Sequence, residues 1–104
     1  MATAVSDPHI LKPAGEPARL KNHPRLRVAQ IVAAYLAYGW SPDEICRQFP
    51  GVQPVEAHAA MAYYYDHRDE IEAELRAELD QLDDQQRRPL AALAARLRQM
   101  KHAG

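Results

Sequence analysis

A chain of 104 residues with 47% apolar content can bury one modest core, and a net charge of −1 leaves both protein and nucleic-acid partners open. No run approaches the roughly 20 apolar residues of a membrane span, and no apolar signal core follows a basic start. Cys46, alone, cannot form an internal disulfide, so a cytoplasmic protein without membrane contact is expected.

The near-neutral total hides a segregation. Residues 1–40 hold five Lys/Arg against two acids, residues 41–86 three against twelve, and residues 87–104 five against none. A basic–acidic–basic layout suits separate contact surfaces, although ordinary solvated helix faces would give the same counts. In chain order, Pro8, Pro13, Gly15 and Pro17 forbid a helix, so residues 1–18 read as an extended arm with one short extended piece at His9–Lys12. Arg25-Leu26-Arg27-Val28 alternates and predicts a short half-buried strand or lead-in, the most basic patch of the first half. Val28, Ile31, Val32, Tyr35 and Leu36 then share one helical face up to Gly39.

Between Tyr38 and Ile45 one helix stops and another starts. Gly39 can take the left-handed conformation, Ser41 can cap, Pro42 suits a first helical position and Glu44 can complete a capping box. Trp40 and Ile45 are spaced for a hydrophobic staple. The second helix is expected from Pro42 to about Phe49, with Cys46 a buried small hydrophobe on its apolar side. After the break at Phe49-Pro50-Gly51-Val52-Gln53-Pro54, a third helix should begin near Pro54 with Val55, Ala59, Ala62 and Tyr63 facing the core. Two short helices so joined have the form of a helix-turn-helix, which reads DNA in some proteins and fills a core in others.

No strong breaker follows until Pro89, apart from a possible break at Asp80–Gln86. Ile71, Leu75, Leu79 and Leu82 make a stripe so narrow that it is expected to meet a second copy as a homodimer interface. After Pro89 a basic amphipathic helix is predicted, with Leu90, Leu93, Leu97 and Met100 on one side and Arg87, Arg88, Arg96 and Arg98 among its cations. The expected organisation is therefore an arm at 1–18, a helix-turn-helix dimerisation and DNA-binding domain at 19–70, and an acidic helix with a basic partner-binding tail at 71–104.

Little here suggests chemistry. His9, His23, His58, His67 and His102 include no pair spaced for metal on a helix, and no phosphate-cradling glycine loop or activated nucleophile is present. Tyr63-Tyr64-Tyr65 would fan around a helix rather than converge, with Tyr63 in the core and Tyr64 or Tyr65 at an interface. No metal, no cofactor and no catalytic activity are expected.

Taken together, Gly15-Glu16-Pro17, His23-Pro24-Arg25-Leu26-Arg27-Val28, Gly39-Trp40-Ser41-Pro42-Asp43-Glu44-Ile45, Phe49-Pro50 and Ala59-Ala60-Met61-Ala62-Tyr63-Tyr64 resemble the antitoxin-like family catalogued as domain of unknown function 433, over roughly residues 9–75. His23-Pro24 stands where that family has Gly-Thr, and two residues appear inserted before it. The resemblance implies a VapB-like antitoxin whose partner is a PIN-like ribonuclease toxin with a metal-binding acidic site. The third helix would then be the recognition helix, although Gln53 to His58 include no Lys or Arg.

The expected fold is all-α: a helix-turn-helix core with a short N-terminal strand or arm, a long third helix and a C-terminal amphipathic helix. Operator DNA is assigned to Arg19, Lys21, Arg25 and Arg27 with Gln53 and His58. The toxin is assigned to Arg87, Arg88, Leu90, Leu93, Arg96, Leu97, Arg98 and Met100, an arginine entering the acidic pocket. A stand-alone regulator and a protein-interaction adaptor without DNA binding remain the alternatives.

Overall fold

The computed structural model describes residues 8–103, with side chains through Met100. Residues 1–7 of the expected arm and Gly104 lie outside the described residues. The chain runs β1 (Ile10–Leu11), β2 (Arg19–Leu20), β3 (His23–Arg27), α1 (Val28–Tyr38), α2 (Pro42–Gln48), α3 (Pro54–Asp66), α4 (Arg68–Asp80), α5 (Asp84–Arg87), a 3-10 turn at Arg88–Leu90, and α6 (Ala91–Ala103).

The fold is mostly helical but not all-α, because the strands form a small antiparallel sheet in the order β1-β2-β3. The prolines that exclude a helix before residue 18 permit a turn instead. Glu16 N–H donates to Pro13 O at 3.1 Å and Gly15 takes φ 74°, so β1 folds back on β2 with Ile10 opposite Leu20. Ile10, Ala18 and Leu20 are buried, so residues 8–18, otherwise exposed or half-buried, are anchored on the core near both ends.

α1 buries Val28, Ile31, Val32 and Leu36, as its spacing requires. Gly39 closes it at φ 72°, its N–H donating to Tyr35 O at 2.8 Å. Ser41 Oγ accepts from Glu44 N–H at 3.2 Å, capping α2. The return half of the expected box is replaced: the Glu44 carboxylate turns outward and accepts from Arg47 and Gln48. Ile45 is fully buried and half-buried Trp40 packs on the same core. Cys46 is half-buried, and burial pushes its thiol pKa up.

The inward face of α3 differs from the expected one. Val55 and Ala62 face solvent, while Glu56, Ala57, Ala60, Met61 and Tyr64 join Ala59 and Tyr63 inside. Glu56 is drawn in because three groups outside its own helix face it. Gln53 N–H donates to Oε1 at 2.8 Å, Asn22 Nδ2 donates to Oε2 at 3.2 Å, and His23 Nε2 lies 3.3 Å from Oε1.

The third helix is also not continuous. It ends at His67, whose φ −135° and ψ 46° leave helical space. His67 N–H is shared between Tyr63 O and Tyr64 O, its ring stacks on Tyr63 with centroids 4.0 Å apart, and α4 restarts immediately. Tyr64 O–H donates to Glu72 at 2.8 Å and Tyr63 O–H donates to Glu70 at 2.9 Å, bracing α3 against α4 across the bend. Tyr64 is thus a core residue, not an interface aromatic; burial, and then Glu72, push its hydroxyl pKa up to about 12.

A second break falls at residues 81–83, where Asp83 and Gln86 exchange backbone-to-side-chain bonds at 2.8 and 2.9 Å in a capping box. These two bends bring α4 and α6 onto α1. The stripe expected to need a second copy is consequently covered from within: Ile71, Leu75 and Leu79 are buried and Leu82 packs against the same cluster. One apolar cluster runs from Ile10 to Leu97, across the boundary expected at residue 70. Among the described residues every buried side-chain polar atom has a hydrogen-bond partner, and no helix is long and apolar enough to cross a membrane.

Candidate nucleic-acid and partner interfaces

The cations of the first half divide into spent and available. Arg27 reaches back to α4, where its guanidinium bridges Glu74 and Glu78. Burial lowers the Arg27 pKa, but the two carboxylates outweigh it and the net direction is up. Arg27, one of the residues assigned to DNA, thus has its charge paired across to α4. Arg19 is half-buried and donates to Pro24 O at 3.2 Å, which orders the β2–β3 hairpin. Lys21 and Arg25 are exposed.

Gln53 and His58, the α3 residues assigned to base contact, are both exposed at the start of the helix. The hairpin tip sits against that first turn through Asn22 and His23 on Glu56. Hydrogen bonding from Gln53 N–H leads the effects that hold the Glu56 carboxylate below its ordinary pKa, with burial opposing and Asn22 and His23 assisting. A negative charge at a helix N-terminus is favoured by the backbone dipole, so Glu56 serves the fold. Sequence reasoning passed over Glu56, Asn22 and His23 as a unit; the only local signal is a Gln53-x-x-Glu56 spacing ahead of an apolar run.

In the tail, the two sides of the predicted helix separate. Leu93 and Leu97 are buried, and Leu90 and Met100 are half-buried against the core. Leu93 and Leu97, assigned to the toxin, are thus packed inside the chain while α6 is docked, and Leu90 and Met100 keep part of their surface exposed. Two arginines clamp the arrangement, Arg76 donating to Leu97 O at 3.0 Å and Arg87 Nε donating to Leu79 O at 2.9 Å. Arg88, Arg96 and Arg98 are exposed.

Besides these charged features the surface carries two apolar hollows that share part of their lining. The larger, of about 500 Å³, lies between β3 and the α2–α3 turn, with Leu26, Pro50 and Val52 in its lining. The smaller, of about 270 Å³, lies over α1 between Trp40 and Leu90. Gln30 and Phe49 line both. Among the described residues no group of three or more His, Cys, Asp or Glu could hold a metal ion.

The hairpin, α1, α2 and most of α3 also form the stretch that can be compared with known proteins. Residues 19–64 match the model of the family described as "Protein of unknown function (DUF433)". The match is shorter than the 9–75 expected and stops just before the bend at His67, leaving β1 and all helices after α3 outside it. No curated protein and no solved structure matches the chain.

Proposed function

We propose that this protein is the antitoxin half of a toxin–antitoxin pair, with no activity of its own, binding operator DNA through its first half and a PIN-like ribonuclease through its tail. The observation that carries the DNA half is the α2–α3 pair: its tight turn leaves Gln53 and His58 exposed at the start of the second helix, beside a hairpin tip bearing Lys21. Side chains at that end of a second helix contact base edges in helix-turn-helix proteins, while nearby cations hold the phosphates. Lys21 and Arg25 take the electrostatic part, and Arg27 takes none.

For the tail, the reading rests on Arg88, Arg96 and Arg98, presented from a helix whose apolar side is already docked. An arginine fork pairs bidentately with carboxylates, the groups that line a PIN-type site. Neutralisation then works by charge from a folded surface, with α6 remaining in place. A second reading, an adaptor without DNA binding, draws support from the outward face of α3, where Val55, His58, Ala62 and Tyr65 supply no Lys or Arg for phosphate.

Co-expression with the product of the adjacent gene, followed by affinity pull-down, size exclusion and a ribonuclease assay, tests the first reading. The expected result is a co-eluting, inactive complex that is lost when Arg88, Arg96 and Arg98 are changed to Glu. Elution of the chain alone would sink it. For DNA, the double change Lys21→Ala, Arg25→Ala should abolish a mobility shift on the upstream operator, and an unchanged shift would remove the hairpin from the contact surface.

A further inference from the structure

We infer that the outward face of α3 pairs with the same face of a second copy of this chain, the two helices running antiparallel. The inference rests on the second reading above, in which α3 does not enter DNA. Val55, His58, Ala62 and Tyr65 form a line along that face at spacings of three, four and three, the a and d positions of a short heptad seam. Val55 and Tyr65 are 51% and 54% exposed, and Leu11 adds a further exposed apolar side chain next to them. Its strand runs beside α3, with His9 lining the same hollow as Val55 and Lys12 Nζ lying 3.9 Å from Glu70 just past the end of α3.

Size and charge choose the occupant and its direction. About a two-fold axis at the level of Ala60, antiparallel pairing sets Val55 against Tyr65 of the second copy and His58 against Ala62, so each layer meets a large side chain with a smaller one. Parallel pairing would stack Tyr65 on Tyr65 and bring two Asp66 carboxylates together. Asp66 is the one charged residue exposed on α3. The antiparallel arrangement carries it to the first turn of the other α3, where the helix dipole favours a negative charge and where Glu56 is turned inward onto Asn22 and His23. With no Lys, Arg or Glu on the seam, two copies meet without opposed charges, and a charged partner finds nothing there to select it. The seam is only about three turns long, so the dimer should be weak, with a dissociation constant on the order of tens of micromolar.

Sedimentation equilibrium of the full chain, from about 1 μM to about 1 mM, should show a reversible monomer–dimer equilibrium. Ala62→Arg sets an unpaired cation at the centre of the seam and should weaken the dimer by about tenfold or more, a difference of about 1.4 kcal/mol. Position 62 is exposed within one chain, and far-ultraviolet circular dichroism checks that the variant remains folded. Direction is read by disulfide trapping in a Cys46→Ser background, where Val55→Cys and Tyr65→Cys chains, mixed, should cross-link to each other in preference to themselves. A monomer at every concentration, a dimer indifferent to Ala62→Arg, or Val55→Cys trapped chiefly with itself would overturn the proposal and leave the adaptor reading standing. An operator mobility shift that His58→Ala abolishes would overturn both, since α3 would then belong to DNA.

Discussion

Residues 19–64 and the segment after them bury apolar surface by different means. The first region is punctuated every few residues, by Gly39, Ser41, Pro42 and Pro54, and its hairpin is locked to α3 by one buried carboxylate, Glu56. The second has long helices with few internal signals, and it is held by leucines and isoleucine meeting partners far along the chain, with Arg76 and Arg87 tying carbonyls across the turn. Local chemistry writes the first region, and tertiary packing writes the second.

The comparison breaks most visibly if the tail is not part of the core. Leu97→Ala should therefore destabilise the protein by about 2–5 kcal/mol in urea unfolding, as a buried leucine does anywhere in a close-packed interior. A loss below about 1 kcal/mol would mean that α6 docks only loosely. The next test is Glu56→Gln, which leaves Asn22, His23 and the Gln53 N–H without a carboxylate at about 1–3 kcal/mol. It also carries a pH signature. The folded state holds the Glu56 pKa down, chiefly through the Gln53 N–H, so this stabilisation is present at neutral pH and fades as pH falls through and below the ordinary carboxylate range. The variant should show a lower urea midpoint at neutral pH and a shallower decline into acid; a parallel decline would place the acid sensitivity elsewhere.

Arg27→Ala sharpens the link between the two regions, since it frees Glu74 and Glu78 together. Because all three side chains retain solvent contact, the expected loss is about 1 kcal/mol, less at high salt, and DNA retention should not change beyond what stability explains. Smallest of all is Tyr65→Phe, which removes only the exposed hydroxyl contact to Tyr35 at 3.1 Å and should shift stability by less than about 0.5 kcal/mol.

Where the sequence was readable follows the same division. The ends of α1 and α2 and the start of α3 were legible because Gly, Ser and Pro act on their own neighbours. The bend at His67 was not, because Tyr63-Tyr64-Tyr65-Asp66-His67 contains no breaker and the contacts that brace the bend, the tyrosine hydroxyls on Glu70 and Glu72, form only in the folded chain. Missing that bend made the Ile71–Leu82 stripe look unpartnered, although a chain that turns twice covers it. The sheet was underestimated for a similar reason: prolines exclude helix, but only the distant pairing of Ile10 with Leu20 reveals a strand. In the candidate site, exposure of Lys21, Gln53 and His58 agrees with local polarity, whereas the fate of Arg27 depended on acids 47 and 51 residues further on.

The single cluster from Ile10 to Leu97 also has a kinetic side. With Leu93 and Leu97 buried in that cluster, a protease that seizes the C-terminal end is expected to find no loose strap in α6, which should leave the interior together with the rest of it. Digestion should then follow the population of the globally unfolded chain, so that each kilocalorie of core stability lengthens the protein's lifetime about fivefold.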